Sequence, residues 1–335
     1  PVPCRPRRLG PLFAAAWLAA LALPALAIDL LQTYRAAVTF DPTYAAARAA
    51  YDAGVEKLDQ ARGGLLPSLT LSGNRARNQL DNTSAQFRTD YNSKGFTLQL
   101  SQPLFNWPVW NAYRQGQALA SQSEAQLVAD TQDLIVRVVE TYFEVVSAQE
   151  VLDAQLALES ASQEQLELSE HSLETGTATI TDVDEAKARL DLATAQAITA
   201  RNDLEVKLHA LRELTGKEID GVRRLRLKLG LARPQPEDLR PWVESAESEN
   251  PLVRVREFAF AYADHEVRRS FGGHLPTLDV VASRQGSWNV NTLNGLPSNT
   301  MQNALMLQLS VPIFQGGRQL SKDREAVALK EKARA

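Results

Sequence analysis

Residues 127–156 of this 335-residue chain, LVADTQDLIVRVVETYFEVVSAQEVLDAQL, form the segment around which the rest of the chain is arranged. Its apolar residues recur at steps of three, four and seven, which is the spacing of a helix with one continuous apolar face. Residues 109–174 contain no proline and a single glycine, Gly116, so the helix can extend through all of them. At ~1.5 Å per residue such a helix reaches on the order of 100 Å, far more than a compact domain needs.

A second helix is predicted to return along the first. The break at Gly176 reverses the chain, since glycine easily takes the left-handed conformation that ends many helices. Thr181 or Asp182 is predicted to cap the return helix, which runs to Gly216. The result is a long antiparallel hairpin at about residues 108–216. Because such a hairpin cannot bury its apolar face alone, it must pack against other hairpins from this chain or from copies of it.

The first 27 residues are typical of a secretory signal peptide. Three arginines lie near the start of the segment, an apolar run follows at residues 12–23, and Ala25-Leu26-Ala27 forms a small-residue cleavage site. The alternative is a single transmembrane anchor, but the run is shorter than the ~20 residues that a span needs. The only cysteine, Cys4, lies before this run, so the mature chain is expected to contain none.

Two short helices and a pair of strands are predicted before the long helix. The helices cover residues 29–40 and 43–62 and end at proline and at paired glycines. Period-two alternation of leucine with serine, threonine and glutamine then indicates two strands, separated by a polar loop, in a β-hairpin at about residues 66–102. Pro103 is expected to end the second strand.

This whole arrangement occurs twice at a constant offset of 209 residues. The ungapped matches are Asp29-Leu30 with Asp238-Leu239, Pro42 with Pro251, Gly63-Gly64 with Gly272-Gly273, LPSL at 66–69 with LPTL at 275–278, LQLS at 98–101 with 307–310, and Pro103 and Phe105 with Pro312 and Phe314. The sequence therefore predicts a tandem duplication. Its parts are a first repeat at 28–216, a linker at 217–236 and a second repeat at 237–335, with a β-hairpin at about 275–311 and the start of a long helix.

The second repeat is shorter than the first. Ala335 is equivalent to Gln126, whereas the first repeat continues to Gly216, so about 90 residues of the second long hairpin are absent by the repeat arithmetic. The chain also begins with proline instead of methionine. We therefore expect the sequence to be a truncated fragment of a longer coding sequence.

Catalytic and ligand-binding patterns are not found in the sequence. The four histidines are scattered, and His265-Glu266 lacks the second histidine that a zinc-hydrolase helix needs. There is no glycine-rich phosphate loop, serine elbow or redox cysteine pair. A net charge of -4, without a basic stripe that includes aromatics, argues against a nucleic-acid partner. We expect no enzyme activity, no cofactor and no metal.

The predicted strands alternate apolar residues with polar or small ones, so one face suits lipid and the other suits water. The edge of a soluble sandwich shows the same alternation. The context favours a membrane, because each β-hairpin is joined to a helix that is too long for a globular domain. Four strands cannot close a barrel, but several chains with four strands each can.

Several separated motifs resemble the outer-membrane efflux protein family. They are GTATITDVDEAKARLD at 176–191, ARNDL at 200–204, LTG at 214–216, GHLPTLD at 273–279 and LSVPIFQGG at 309–317. The resemblance implies a mainly α fold with β, in which long antiparallel α-helical hairpins and β-hairpins are tandem duplicated. It also implies a homotrimer, whose twelve strands form one β-barrel in the outer membrane and whose twelve long helices form an α-helical barrel across the periplasm.

The resemblance further implies a function. The family serves Gram-negative bacteria as an exit duct that passively conducts secreted proteins or drugs. A periplasmic adaptor and an inner-membrane transporter of the ABC or RND type are the implied partners, with outer-membrane lipid around the barrel. The alternative is that the chain is itself a periplasmic adaptor, which is also built on a long helical hairpin. An adaptor should show a single hairpin flanked by soluble β domains, without the 209-residue duplication.

In the family, hydrogen bonds and charge pairs close the helical barrel at its periplasmic tip. Thr181 and Asp182 match positions in that network, so the resemblance implies a gate role for both. A bond from Asp182 to an arginine of a neighbouring hairpin would hold the closed state. The alternative is that the two residues only cap the return helix.

Overall fold

The computed structural model of the protein describes residues 28–82, 87–224, 234–289 and 298–335, so the predicted signal peptide lies outside the described residues. Seven α-helices are present in this part of the chain: α1 (Leu30–Phe40), α2 (Pro42–Gly63), α3 (Trp107–Glu174), α4 (Ile180–Thr215), α5 (Leu239–Glu249), α6 (Pro251–Phe271) and α7 (Arg318–Arg334). Four strands are described: β1 (Ser68–Asn82), β2 (Phe87–Phe105), β3 (Thr277–Asn289) and β4 (Ser298–Ser310).

The helix boundaries follow local sequence signals and repeat with the predicted offset. Asp29 caps α1 in a capping box with Gln32, and α1 ends before Asp41-Pro42. The equivalent helix α5 has the same length of 11 residues and is capped by Asp238. These signals lie within a few residues of each helix end, which is why the sequence alone locates them.

The described chain divides into two compact units. The first contains α1, most of α3, α4 and the residues that follow α4. Its largest apolar cluster is formed by Tyr142, Val145, Val146, Leu208, Leu211, Ile219 and Val222. Facing apolar residues of α3 and α4 thus bury each other, as the hairpin predicts. Gly216, with a φ of 65°, ends α4 where the sequence places its stop.

Part of the predicted linker packs into this cluster. Ile219 and Val222 are 5% and 4% exposed, and Val222 pairs with Ile28 in a parallel β-bridge. The guanidinium of Arg212 donates to the carbonyl oxygen of Ile219 at 3.0 Å. Residues 217–224 are therefore part of the first unit, whereas residues 225–233 lie outside the described residues.

The second unit contains a four-stranded antiparallel sheet of order β1-β2-β3-β4. The polar loop predicted between the first two strands is mostly strand, because β1 continues to Asn82 and β2 begins at Phe87. Polar residues on both faces remove the alternation signal there, yet cross-strand backbone hydrogen bonds still form. The prediction that Pro103 ends the second strand is also wrong: β2 continues to Phe105 through a register irregularity, where the missing proline N–H is tolerated.

The two repeats differ where strand meets helix. In the first repeat β2 ends at Phe105 and α3 begins at Trp107, whereas in the second β4 ends at Ser310 and α7 begins at Arg318. Gly316 and Gly317 stand where the first repeat has Trp107 and Pro108. Because glycine is a poor helix former and proline is favoured in the first turn, the second long helix begins later.

A polar cluster joins α6 to α7 in the second unit. The carboxylate of Asp323 accepts hydrogen bonds at 2.6 Å from the hydroxyl of Ser270 and lies 2.6 Å from Nε2 of His274. The amide of Gln319 donates to the same carboxylate at 3.2 Å. Partial burial acts against ionisation, but the bonds from Ser270, His274 and Gln319 hold the pKa of Asp323 below its ordinary value.

Candidate functional site

The turn between α3 and α4 forms the tip of the long hairpin. Gly176 has a φ of 76°, in the left-handed region. Its N–H donates to the carbonyl oxygen of Leu173 at 3.0 Å, and the N–H of Thr177 donates to that of Ser172 at 2.9 Å. This pair of bonds is a Schellman motif, which satisfies the last carbonyl groups of α3 and reverses the chain.

Thr179, and not Thr181, is the residue that caps α4. The N–H and the hydroxyl of Thr179 each donate to Oδ2 of Asp182 at 2.8 Å, and the N–H of Asp182 donates back to the Thr179 hydroxyl at 3.3 Å. Asp182 therefore contributes to the cap from the third position of the helix, and Thr181 is an exposed residue of the first turn. The spacing of Thr179 and Asp182 is that of a capping box, a sequence signal by which the cap could have been found.

Asp182 is a charged group at this tip. Hydrogen bonds from the backbone and the side chain of Thr179 lower its pKa below the ordinary value, so it is ionised at neutral pH. The residue is exposed, and among the described residues no group donates to its second oxygen, Oδ1. Asp182 can thus accept a charge-assisted bond from outside the hairpin while it completes the cap.

One face of the sheet is rich in leucine, although Arg284 and Asn303 also lie on it, and the other face is mostly polar. Leu69, Leu100, Ala282 and Leu305 are in register across all four strands and share one face. Thr70, Gln99, Ser283 and Ala304 form the adjacent row on the other face. Leu69 and Leu305 are 66% and 79% exposed, so the apolar side is uncovered in this chain.

The described part of the chain lacks the features of a metal site and of a helical membrane span. No cluster of three or more histidine, cysteine, aspartate or glutamate residues there could hold a metal ion. His274 is engaged with Asp323, and His171 lies 3.5 Å from Glu174 on the same helix. Within the same described ranges, every helix lacks an apolar run long enough to cross a membrane.

The long hairpin of α3 and α4, the start of a second long helix in α7, and a sheet built from one β-hairpin of each repeat are the features expected of a subunit of an outer-membrane channel. Residues 33–217 match the family described as outer membrane efflux protein. The chain belongs to this family, so the predicted resemblance to outer-membrane efflux proteins and the predicted fold class are confirmed.

Individual relatives agree with the family assignment. The alkaline protease secretion protein AprF of Pseudomonas aeruginosa is 34% identical over 98% of this chain and 69% of its own length. The outer membrane protein TolC of Vibrio cholerae is 30% identical over 96% of this chain and 73% of its own length. The fold resembles that of the Campylobacter jejuni CmeC outer membrane channel, with a TM-score of 0.77, 18% identity, and coverage of 91% of this chain and 66% of CmeC.

Family membership decides between the two predicted functions. The chain is an outer-membrane exit duct, and the alternative of a periplasmic adaptor is wrong. The predicted location in the outer membrane of a Gram-negative bacterium is confirmed. Members of this family are trimeric channels that work with adaptor and inner-membrane transporter proteins.

Proposed function

We propose that this chain is the outer-membrane exit duct of a protein secretion system. Three copies assemble, so that twelve strands close one β-barrel and the long helices form a barrel below it. The apolar side of each sheet, with Leu69 and Leu305, faces lipid, and the side with Thr70 and Gln99 faces the water-filled interior. Closure by three copies would pair the free edges of β1 and β4, which single chains leave open.

The observation that carries this proposal is the similarity to AprF, a protease secretion protein, over nearly the whole chain. We propose a periplasmic adaptor and an inner-membrane transporter of the ABC type as partners. An RND-type transporter is the partner that we would expect if the duct served drug efflux.

Thr181 and Asp182 are proposed to belong to the gate at the periplasmic tip. Both are exposed in the first turn of α4, within a few residues of the chain reversal at Gly176. The second oxygen of Asp182 is available to an arginine of a neighbouring hairpin, and such a charge-assisted bond would hold adjacent tips together. Opening would then require a rearrangement between two helix packings.

Deletion of the gene in its own host tests the proposal. We expect the culture medium to lose one or more secreted proteins, which accumulate inside the cell, and the full coding sequence to restore them. Susceptibility to dyes and antibiotics is measured in parallel. Unchanged secretion with increased drug susceptibility would assign the duct to drug efflux instead. Native mass of the complex extracted in mild detergent checks the trimer.

A further inference from the structure

Near the strand ends that each β-hairpin loop connects, the apolar face of the sheet carries aromatic and charged side chains instead of leucine. The side chains of Phe96 and Met301 pack closely against Gly286. A Cβ added there would lie 2.6 Å from the Phe96 ring and 2.9 Å from the Met301 sulfur. Two residues further along each strand, Arg75, Lys94 and Trp288 are in register across β1, β2 and β3. We call these three residues the basic row.

The basic row contains an unfavourable pair of charges. Arg75 and Lys94 are directly opposite each other on antiparallel strands and are both exposed. Like charges in this position destabilise a sheet. Nζ of Lys94 lies 5.9 Å from the centre of the Trp288 ring, a cation–π contact that leaves the net charge unchanged.

No carboxylate of the sheet is placed to balance the basic row. The first strand pair, residues 68–105, contains two acids: Asp81, which is in register with Arg88, and Asp90, which lies 3.7 Å from Arg77. Residues 277–310 contain a single acid, Asp279, which is in register with Pro103 at the far end of the sheet.

A neighbouring copy would not supply the missing charge either. The edge strand that would lie beside β1 is β4 of the next chain, and residues 298–310 contain no aspartate or glutamate. The excess positive charge therefore remains in the assembled sheet. An anion from outside the protein is the group that would neutralise it.

The position of the basic row indicates which kind of anion binds there. If the sheet spans the membrane as proposed above, on which this inference rests, the row lies beside the apolar band and on the same face. Trp288 is of the type that lies at headgroup level in membrane barrels. Lysine and arginine are common ligands of phosphate groups. We infer that Arg75 and Lys94 bind the phosphate of an anionic membrane lipid, whose acyl chains lie along Phe96 and Met301.

Lipid titration of the protein purified from its own outer membranes tests this inference. Detergent micelles containing phosphatidylglycerol are the probe, micelles containing phosphatidylcholine are the comparison, and retained lipid is counted by native mass spectrometry. We expect preferential retention of phosphatidylglycerol. Arg75→Gln or Lys94→Gln should each weaken it by ~5-fold and the double variant by ~25-fold, since one basic residue near an anionic surface contributes ~1 kcal/mol.

Arg77→Gln is the matched control. It removes one positive charge from the same face, but that charge is already paired with Asp90. Equal retention of the two lipids, or equal weakening by Arg77→Gln and Arg75→Gln, would overturn the inference. Tight binding of inorganic phosphate alone would also overturn it, by showing a phosphate site that needs no lipid. A protein absent from the outer-membrane fraction would refute the proposed function, whereas a membrane protein without lipid preference would refute this inference only.

Discussion

The carboxylate of Asp41 lies 2.6 Å from Nη2 of Arg137, although 96 positions separate the two residues in the chain. Asp41 is 3% exposed. Its other oxygen accepts the N–H of Thr43 at 2.9 Å, so the same side chain starts α2 and ties it to α3. This is the least exposed ion pair of the first unit among the described residues.

Asp41→Asn is expected to lower the free energy of unfolding by about 3 kcal/mol, because it leaves the partly buried Arg137 without its main partner. Asparagine can still accept the N–H of Thr43, so the start of α2 is retained. Asp133→Asn is the control: Asp133 contacts the same guanidinium at 2.9 Å but is 63% exposed, so we expect a loss below about 1 kcal/mol. Denaturant unfolding in detergent, followed by circular dichroism, compares the two. Equal losses would contradict a special role for the buried pair.

Asp182→Asn is expected to raise the conductance of the full-length trimer in planar bilayers, because a neutral side chain holds a neighbouring arginine less strongly. Thr179→Ala distinguishes an effect on the gate from an effect on the helix cap, because it removes the cap partner of Asp182 but keeps the charge of Asp182. Asp184→Asn, an exposed neighbour on the same helix, controls for charge alone. An equal increase with Thr179→Ala would assign the effect to the helix cap, and no change with Asp182→Asn would remove Asp182 from the gate.

Stability at acid pH is expected to depend on Asp323. Its pKa is lowered from the ordinary value of 3.8 by folding. The stability that its carboxylate contributes is therefore fully present above that value and is lost as the pH falls through the lower pKa of the folded state. Asp323→Asn should reduce the thermal midpoint at pH 6 and flatten its fall towards pH 3, relative to the natural protein. An unchanged slope in the Asp323→Asn protein would refute the prediction.

Gly216→Ala is expected to destabilise the protein by about 1–3 kcal/mol. The residue has a φ of 65°, where a side chain is strained, and an added Cβ would meet the ring of Phe40. Gly63→Ala is the matched control, since it lies at the end of α2 with no atom within 4 Å of an added Cβ. That change should be neutral or stabilising by up to about 1 kcal/mol. Similar effects of the two substitutions in thermal unfolding would contradict this account.

Local and repeated features could be predicted from the sequence by itself. The bounds of α1 follow from Asp29 and from Asp41-Pro42, and the end of α4 follows from Gly216. These signals work because a helix end is satisfied by groups within four or five residues. The duplication was equally visible, since matched residues at one offset need no structure to be counted. The roles implied for Thr181 and Asp182 in a gate remain predictions.

The contacts between residues distant in the chain, and the full length of the strands, are known only from the tertiary structure. It placed Asp41 against Arg137, buried Ile219 and Val222 of the predicted linker, and extended β2 beyond Pro103. It also set Arg75 directly opposite Lys94. The physical reason is that strand register, ion pairs and burial depend on contacts between segments far apart in the chain, for which a single sequence holds no local signal.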